Sequence, residues 1–186
     1  MSELASSGQL RMGFVRWALV TVPVCVALGF LAGAVSNSGY GNAWFDALDK
    51  PWFMPPGWVF PVVWTTLYVM LGIALAMVLN ARGAAQRGLA VLLFVLAFAF
   101  NLAWSPVFFA MHLMTAGMWI LAGMFVFTIP TAILFFKIRR VAGLLILPYL
   151  VWLCVATALN WEIRRLNPGA DGLVVDRAGS QIDLIR

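Results

Sequence analysis

The charged side chains of this chain are confined to a few short segments. Four long stretches contain no Asp, Glu, Lys or Arg: residues 17–45, 51–81, 88–136 and 141–161. An α-helix rises 1.5 Å per residue, so crossing a hydrocarbon core of about 30 Å takes roughly 20 apolar residues. The first, second and fourth stretches each fit one crossing, and the third fits two with a reversal near residues 111–117. The pattern therefore predicts five transmembrane helices, at about 14–36, 58–80, 88–110, 116–136 and 142–162.

The pattern inside these stretches distinguishes helices from the strands of a membrane barrel. Barrel strands alternate apolar and polar residues, whereas residues 92–100 read LLFVLAFAF. We therefore predict an all-α membrane bundle with a polar N-terminal tail (1–13), a first loop at 37–57 and a polar, solvent-exposed C-terminal tail (163–186). Arg11 and Arg16 precede the first apolar run as in a signal peptide, but the run exceeds the usual 7–15 residues, which favours a retained helix.

Composition agrees with lipid as the main solvent of the chain. Hydrophobic residues make up 63% of it and charged residues 10%, whereas a soluble domain carries about 25% charged residues. Binding of nucleic acid would require a basic, aromatic-rich soluble module, and the sequence contains none. We expect an integral protein of a bacterial cell-envelope membrane, inner or outer.

Basic residues are divided unequally between the two sides of the predicted bundle. The first and third loops together contain only Lys50, although Arg164 and Arg165 follow the last helix on that side. The positive-inside rule therefore favours a cytoplasmic N-terminus. The basic residues on that side are Arg11, Arg16, Arg82, Arg87, Lys137, Arg139 and Arg140.

The first loop combines many aromatic residues with several prolines. Its aromatic residues are Trp44, Phe45, Trp52, Phe53 and Trp58, and its prolines are Pro51, Pro55 and Pro56. Proline fixes φ and cannot continue a helix, so these residues stiffen the loop. Aromatic residues also form belts at the lipid headgroups, but their concentration in one stiff loop favours a lid over a cavity between the helices.

The groups needed for common chemistry are missing from the predicted helices. No charged residue lies well inside a helix, which argues against ion-coupled transport. The single histidine, His112, falls in a loop, and no nucleophile–base pair or metal-ligand spacing is present. Cys25 and Cys154 lie in helices and are interpreted as packing residues. The sequence therefore predicts no metal and no cofactor.

Two helical stripes combine aromatic and polar side chains. One consists of Asn101, Trp104, Ser105 and Phe108, and the other of Tyr149, Trp152, Ala156 and Asn160. An amide is unfavourable in lipid, so both asparagines should face protein or a cavity. We interpret Asn101 as part of a pocket wall. For Asn160, a hydrogen bond that joins two helices is at least as good an interpretation as a place in the pocket. Pockets for small molecules are mostly apolar and aromatic with a few polar groups, as these stripes are.

The first predicted helix also carries a GxxxG pair, Gly29 and Gly33. Such pairs allow a second helix to approach closely. The second helix could belong to the same chain or to a second copy, and the sequence leaves both alternatives open.

In three segments the sequence resembles the translocator protein family, whose members are also called TspO or tryptophan-rich sensory proteins. These segments are WFDALDKPWFMPPGWVFPVVWTTLY from Trp44, FNLAWSPVFF from Phe100 and LPYLVWLCVATALNWEIRR from Leu147. The resemblance implies a five-helix bundle, usually a homodimer, with a ligand pocket capped by the first loop. It further implies binding of porphyrins such as protoporphyrin IX and, in some members, of sterols and of benzodiazepine- or isoquinoline-type drugs.

The resemblance also implies which residues bind the ligand. They are Trp44, Phe45, Pro55, Asn101, Trp104, Ser105, Trp152 and Ala156. The function expected is a porphyrin-binding membrane receptor or sensor. The alternatives are a light-dependent porphyrin-degrading enzyme, in which Trp44 and Trp152 would be the catalytic residues, and a facilitator of porphyrin or sterol transport.

Two departures from the family pattern bear on these expectations. Phe45 and Phe53 stand where tyrosine and tryptophan are usual, and the missing hydroxyl removes one polar contact. The cholesterol pattern needs a tyrosine where this chain has Trp161 before Arg164, which argues against a sterol role.

Overall fold

The computed structural model of the protein describes residues 7–173. Within this range the helices are α1 (Ser7–Val35), α2 (Ala43–Ala47), α3 (Val59–Asn80), α4 (Arg87–Ser105), α5 (Met114–Ile138) and α6 (Arg140–Leu166), with a π-helical turn at Pro106–Ala110 continuing α4. Five of these elements, α1, α3, α4 with its π-turn, α5 and α6, are long and apolar enough to cross a membrane. The predicted all-α bundle of five transmembrane helices is thus confirmed.

The π-helical turn reverses the chain between α4 and α5. Proline has no amide hydrogen to continue the helical pattern, and after Pro106 the bonds widen, with Met111 N donating to Pro106 O at 2.9 Å and Leu113 N to Val107 O at 3.0 Å. His112 adopts a left-handed conformation with φ of 61°, which completes the turn. The reversal therefore falls at residues 111–113, within the corner that the sequence predicts.

The helices pack as α1 on α3, α3 on α6, and α5 between α4 and α6. Helix α1 approaches α3 closely at Gly72, where an added Cβ would lie 2.6 Å from the Cα of Val22. At the same crossing Thr21 Oγ1 donates to Gly72 O at 2.7 Å. Gly29 of the GxxxG pair lies directly against the ring of Tyr68. The close approach at Gly29 is therefore made to a helix of the same chain.

The first loop, residues 37–57, folds into a compact lid at one end of the bundle. Its short helix α2 is capped by Asn42, whose Oδ1 accepts from Phe45 N at 3.1 Å. The Lys50 ammonium donates to the carbonyl oxygens of Phe45, Asp46 and Leu48 at 2.8, 3.2 and 3.1 Å. Lys50 therefore closes the C-terminal end of α2, where helical carbonyls lack amide partners within the helix. Phe45 O also accepts from Leu48 N at 3.3 Å.

The beginning of the predicted C-terminal tail is exposed to solvent at most of its residues, but it is bonded to the bundle and to the lid. Helix α6 continues through residue 163 to Leu166, and residues 167–173 fold back over the lid. Asn167 Nδ2 donates to Asp49 O at 2.9 Å, and Trp44 Nε1 donates to Ala170 O at 3.3 Å. These contacts could not be predicted from periodicity, because single side chains make them to single backbone carbonyls. Residues 174–186 of the predicted tail and residues 1–6 lie outside the described residues.

Candidate functional site

A cavity of about 560 Å³ lies between α1, α3, α4 and α6, with the lid forming one end. Its walls are mostly apolar and aromatic. Lid residues Tyr40, Phe45 and Met54 close the end away from the bundle centre, and Leu121 and Met124 of α5 also reach the cavity. The volume falls within the roughly 300–1,000 Å³ of sites for small molecules.

Six of the eight residues predicted to bind a ligand line this cavity. They are Phe45, Asn101, Trp104, Ser105, Trp152 and Ala156. Trp44 and Pro55 are not among the lining residues. The two stripes predicted from helical spacing, on α4 and α6, therefore meet across one space, except that Tyr149 lies behind the lining and bonds to Asn101.

Trp44 is a buried residue of the lid that does not line the cavity. It is only 2% exposed, and its indole stacks on the imidazole of His112 with ring centroids 4.6 Å apart and an interplanar angle of 15°. Trp44 also makes an edge-to-face contact with Phe108. The ring of Phe108 in turn stacks on Trp104, with ring centroids 4.8 Å apart. Trp44 thus reaches the cavity wall only through Phe108, so its predicted roles in ligand contact and in photo-oxidation have no direct geometric support.

Asn101 holds three helices together at the inner part of the cavity. Its Oδ1 accepts from the hydroxyl of Tyr68 on α3 at 3.0 Å, and its Nδ2 donates to the hydroxyl of Tyr149 on α6 at 3.1 Å. The Tyr149 hydroxyl donates onward to Met124 Sδ on α5 at 3.6 Å. Buried polar networks of this kind are stable when every member is bonded, so this network fixes the relative position of the cavity walls.

Asn160 is in the opposite state. It is 1% exposed, and neither Nδ2 nor Oδ1 has a hydrogen-bond partner among the described residues. The indole Nε1 atoms of Trp104 and Trp152 also lack partners there. Buried polar side-chain atoms are seldom left unpaired, so three such residues on one cavity indicate a place for polar groups supplied from outside the chain.

Two of these unpaired atoms converge beside Gly117 of α5. A Cβ built at Gly117 would lie 2.9 Å from Asn160 Nδ2 and 3.4 Å from Trp104 Nε1. Glycine therefore leaves room for both groups at the contact between α4, α5 and α6. Both atoms are hydrogen-bond donors, which makes this part of the wall suited to an acceptor oxygen.

Sequence reasoning missed the aromatic wall supplied by α3. Phe60, Trp64 and Tyr68 all line the cavity. Trp64 stacks on Tyr68 at 5.4 Å and meets Trp152 edge-on at 6.5 Å. The signal was present, since residues 60, 64 and 68 recur every four residues and so share one helical face.

The cavity carries no formal charge. None of its lining residues is Asp, Glu, Lys, Arg or His, and the described residues contain no group of three or more His, Cys, Asp or Glu side chains that could hold a metal ion. The arrangement can bind a neutral, flat surface through stacking and a few hydrogen bonds. Tyr40 and Tyr68 are the lining side chains with a phenolic hydroxyl, and no lining residue supplies an imidazole or a carboxylate.

The fold and the cavity together define a class of protein: a five-helix integral membrane protein with a neutral, aromatic cavity under a loop lid. Comparison with known proteins identifies the family. Residues 21–166 match the TspO/MBR family, and the chain belongs to it.

Relatives from bacteria and animals share most of the chain. Protein CrtK of Rhodobacter capsulatus is 38% identical over 149 residues, which cover 78% of this chain and 90% of that protein. The tryptophan-rich sensory protein of Cereibacter sphaeroides is 40% identical over 75% of this chain and 90% of its own. The human translocator protein is 32% identical over 78% of this chain and 88% of its own. The resemblance predicted from the three segments is thereby confirmed.

Proposed function

We propose that this protein is a membrane receptor that binds a porphyrin, of the protoporphyrin IX type, in the cavity beneath the lid. The observation that carries the proposal is the set of unpaired polar groups on Trp104, Trp152 and Asn160 within an otherwise aromatic, uncharged cavity. A flat conjugated ligand would stack on the rings, and its polar atoms would pair with these groups. The names of two relatives, a tryptophan-rich sensory protein and a translocator protein, fit such a role.

The mouth of the cavity suits the charged part of a porphyrin. Asn37, Ser38 and Tyr40 line the cavity and are exposed, so ionised propionate groups placed there would keep their water. This matters because an ionised carboxylate is costly to bury without partners. Lys50 is a poor candidate for pairing with a propionate, because its ammonium already donates to three lid carbonyls.

A titration with protoporphyrin IX in lipid nanodiscs tests the proposal, with tryptophan fluorescence as the signal. We expect saturable quenching, and an affinity about tenfold lower for Trp152→Phe, which keeps an aromatic ring but removes the unpaired N–H. The matched control is Trp119→Phe, because Trp119 is 75% exposed and does not line the cavity. Absence of saturable quenching in the unmodified protein would refute porphyrin binding.

A second candidate function, a facilitator of ligand transfer, is favoured by the side of the cavity between α1 and α3. Phe30 and Pro61 line the cavity there and are exposed, although both lie in membrane-spanning helices. A ligand could therefore pass between the bilayer and the lid end. Protoporphyrin IX flux into proteoliposomes tests this function, and binding without flux would leave the receptor role alone.

We further propose that the N-terminus faces the cytoplasm of a bacterial cell and that the protein forms a homodimer. The first rests on the basic residues at the α3–α4 and α5–α6 connections. The second rests on family resemblance alone. Cysteine labelling from each side of the membrane tests the orientation, and light-scattering mass in nanodiscs tests the dimer.

A further inference from the structure

The segment that follows α6, residues 167–173, runs across the lid end of the bundle and is called the strap here. It begins where the match to the family ends, at residue 166. We propose that the strap is a latch that holds the lid closed over the cavity and so slows the exchange of ligand. The effect on ligand rests on the proposed binding function, whereas the effect on the lid does not.

The side-chain amide of Asn167 bonds to both backbone groups of a lid residue, Asp49. Its Oδ1 accepts from Asp49 N at 2.9 Å, and its Nδ2 donates to Asp49 O at 2.9 Å. The same Nδ2 donates to Ile163 O at 2.7 Å on the last turn of α6. One side chain therefore joins the lid directly to a transmembrane helix.

The strap also covers the central ring of the lid. Trp44 Nε1 donates to Ala170 O at 3.3 Å, and Ala170 packs on the buried aromatic cluster that contains Trp44, Phe45 and Phe108. Trp44 is 2% exposed. The lid cannot lift far from the bundle without separating this indole from the strap.

The other end of the strap is anchored to α5. The Asp171 carboxylate accepts from Met114 N, Thr115 N and Thr115 Oγ1 at the first turn of this helix. These amides are among those that a helix leaves unpaired at its N-terminus, where a negative charge is also favourable. Gly172 N donates to His112 O at 2.9 Å. The strap is therefore anchored to the first turn of a long helix of the bundle and to the turn that precedes it.

The lid makes fewer hydrogen bonds to the rest of the described bundle than to the strap. Among the described residues, the lid donates one hydrogen bond to the π-turn, from Asn42 Nδ2 to Phe109 O at 3.1 Å. Its other hydrogen bonds to distant parts of the chain go to the strap, through Trp44 and Asp49. The packing of Phe45 on Phe108 and Phe109 would remain without the strap. Loss of the strap should therefore loosen the lid without unfolding the bundle.

Hydrogen–deuterium exchange of the ligand-free protein in nanodiscs tests the latch itself. The variant is Asn167→Ala, which removes both bonds to Asp49. The matched control is Glu162→Gln, which breaks the ion pair of Glu162 with Arg165 on the last turns of α6 and touches no lid residue. Because two hydrogen bonds to the lid are lost, we expect amides of residues 42–50 to exchange faster by on the order of tenfold in the variant only. Unchanged lid exchange in Asn167→Ala would overturn the latch.

The ligand arm measures the dissociation rate of protoporphyrin IX by stopped flow. We expect an increase of about tenfold in Asn167→Ala and no change in Glu162→Gln. If the unmodified protein does not bind protoporphyrin IX, the proposed function fails while the exchange measurement still decides the latch. Faster lid exchange with an unaltered dissociation rate would overturn control of the ligand by the strap.

A second variant covers the case in which Asn167→Ala does not fold. Asp171→Asn keeps the size of the anchor and removes the charge that binds the first turn of α5. Circular dichroism confirms that the helices persist, and the same exchange measurement is then applied. Faster exchange at residues 42–50 would support the latch, and exchange equal to that of Glu162→Gln would overturn it.

Discussion

Asn101 and Asn160 line the same cavity with opposite hydrogen bonding. The side-chain Oδ1 and Nδ2 of Asn101 are both paired, with the hydroxyls of Tyr68 and Tyr149. Neither Oδ1 nor Nδ2 of Asn160 has a partner among the described residues. Both side chains are buried. One asparagine therefore builds the cavity, and the other makes a buried polar surface that the ligand-free chain does not satisfy.

Replacement of Asn160 by leucine should stabilise the ligand-free protein and weaken ligand binding. Leaving a buried polar group unpaired costs about 1–3 kcal/mol, and leucine of similar size removes that penalty. We expect the midpoint of thermal unfolding in nanodiscs to rise by a few degrees while the affinity for protoporphyrin IX falls. Intrinsic fluorescence during heating measures the first effect and the quenching titration the second.

The control for this substitution is the same change at the paired asparagine. Asn101→Leu would leave the hydroxyl of Tyr68 without its acceptor, so we expect a lower unfolding midpoint. If Asn160→Leu also lowered the midpoint, Asn160 would have a stabilising role in the ligand-free protein, and the interpretation of its unpaired groups would be wrong.

Gly117→Ala should narrow the cavity from behind its wall. The new Cβ would stand 2.9 Å from Asn160 Nδ2 and 3.4 Å from Trp104 Nε1, so both side chains must shift. We expect the affinity for protoporphyrin IX to fall by about tenfold. We expect little change in the unfolding midpoint, because the helix propensity of alanine, better by about 1 kcal/mol, offsets the strain of the new contacts. Equilibrium titration in nanodiscs measures the affinity.

Gly88→Ala is the matched control for this prediction. Gly88 also lies in the first turn of a transmembrane helix, and an added Cβ there meets nothing within 4 Å. The gain in helix propensity is thus shared, and only the contact differs. Equal affinities in the two variants would show that the space at Gly117 has no bearing on the ligand.

The membrane helices could be predicted from sequence because each depends on local composition alone. A run such as residues 88–110 is free of charge along its length and lacks the alternation of barrel strands, so a helix is the conformation in which it crosses lipid. The two polar stripes on α4 and α6 could be predicted for the same reason, since spacing on one helix decides which side chains share a face.

The pairing of the polar groups could not be predicted, because it depends on contacts between distant segments. Asn101 finds its partners 33 and 48 residues away, and Trp44 bonds to Ala170, which lies 126 residues further along the chain. An aromatic residue in a stiff loop, as Trp44 is, is expected to cover a ligand. In the structure its indole instead contacts His112 and the strap. Nothing in the local sequence distinguishes these two environments.

Gly29→Ala should destabilise the monomer fold and not merely a dimer. A Cβ at Gly29 would overlap the ring of Tyr68, which is itself bonded to Asn101. We expect a clear drop in the unfolding midpoint, whereas Gly33→Ala, whose new Cβ would meet only Ser38 at 3.8 Å, should change it little. Thermal unfolding and particle mass are measured on the same samples. A change in mass with no loss of stability for Gly29→Ala would show that this glycine serves a contact between copies.

Lys50→Met should loosen the lid, and it should weaken the binding of ligands with and without carboxylates alike. The Lys50 ammonium donates to three carbonyls around the end of α2 and lies 4.8 Å from the centre of the Phe45 ring. Methionine keeps part of the apolar stem but removes the ammonium donor, which leaves Phe45 O with only its bond from Leu48 N. We therefore expect amides of residues 42–50 to exchange several-fold faster, measured by mass spectrometry. The control is Lys137→Met, an exposed lysine at the far end of α5.

The porphyrin dimethyl ester separates the two possible roles of Lys50. It lacks the carboxylates, so a lysine that pairs with propionate would matter for protoporphyrin IX and not for the ester. A lysine that holds the lid would affect both ligands alike, because the lid closes over either one. We expect Lys50→Met to weaken binding of the acid and the ester by the same factor. A loss confined to the acid, with lid exchange unaltered, would instead assign Lys50 to the ligand.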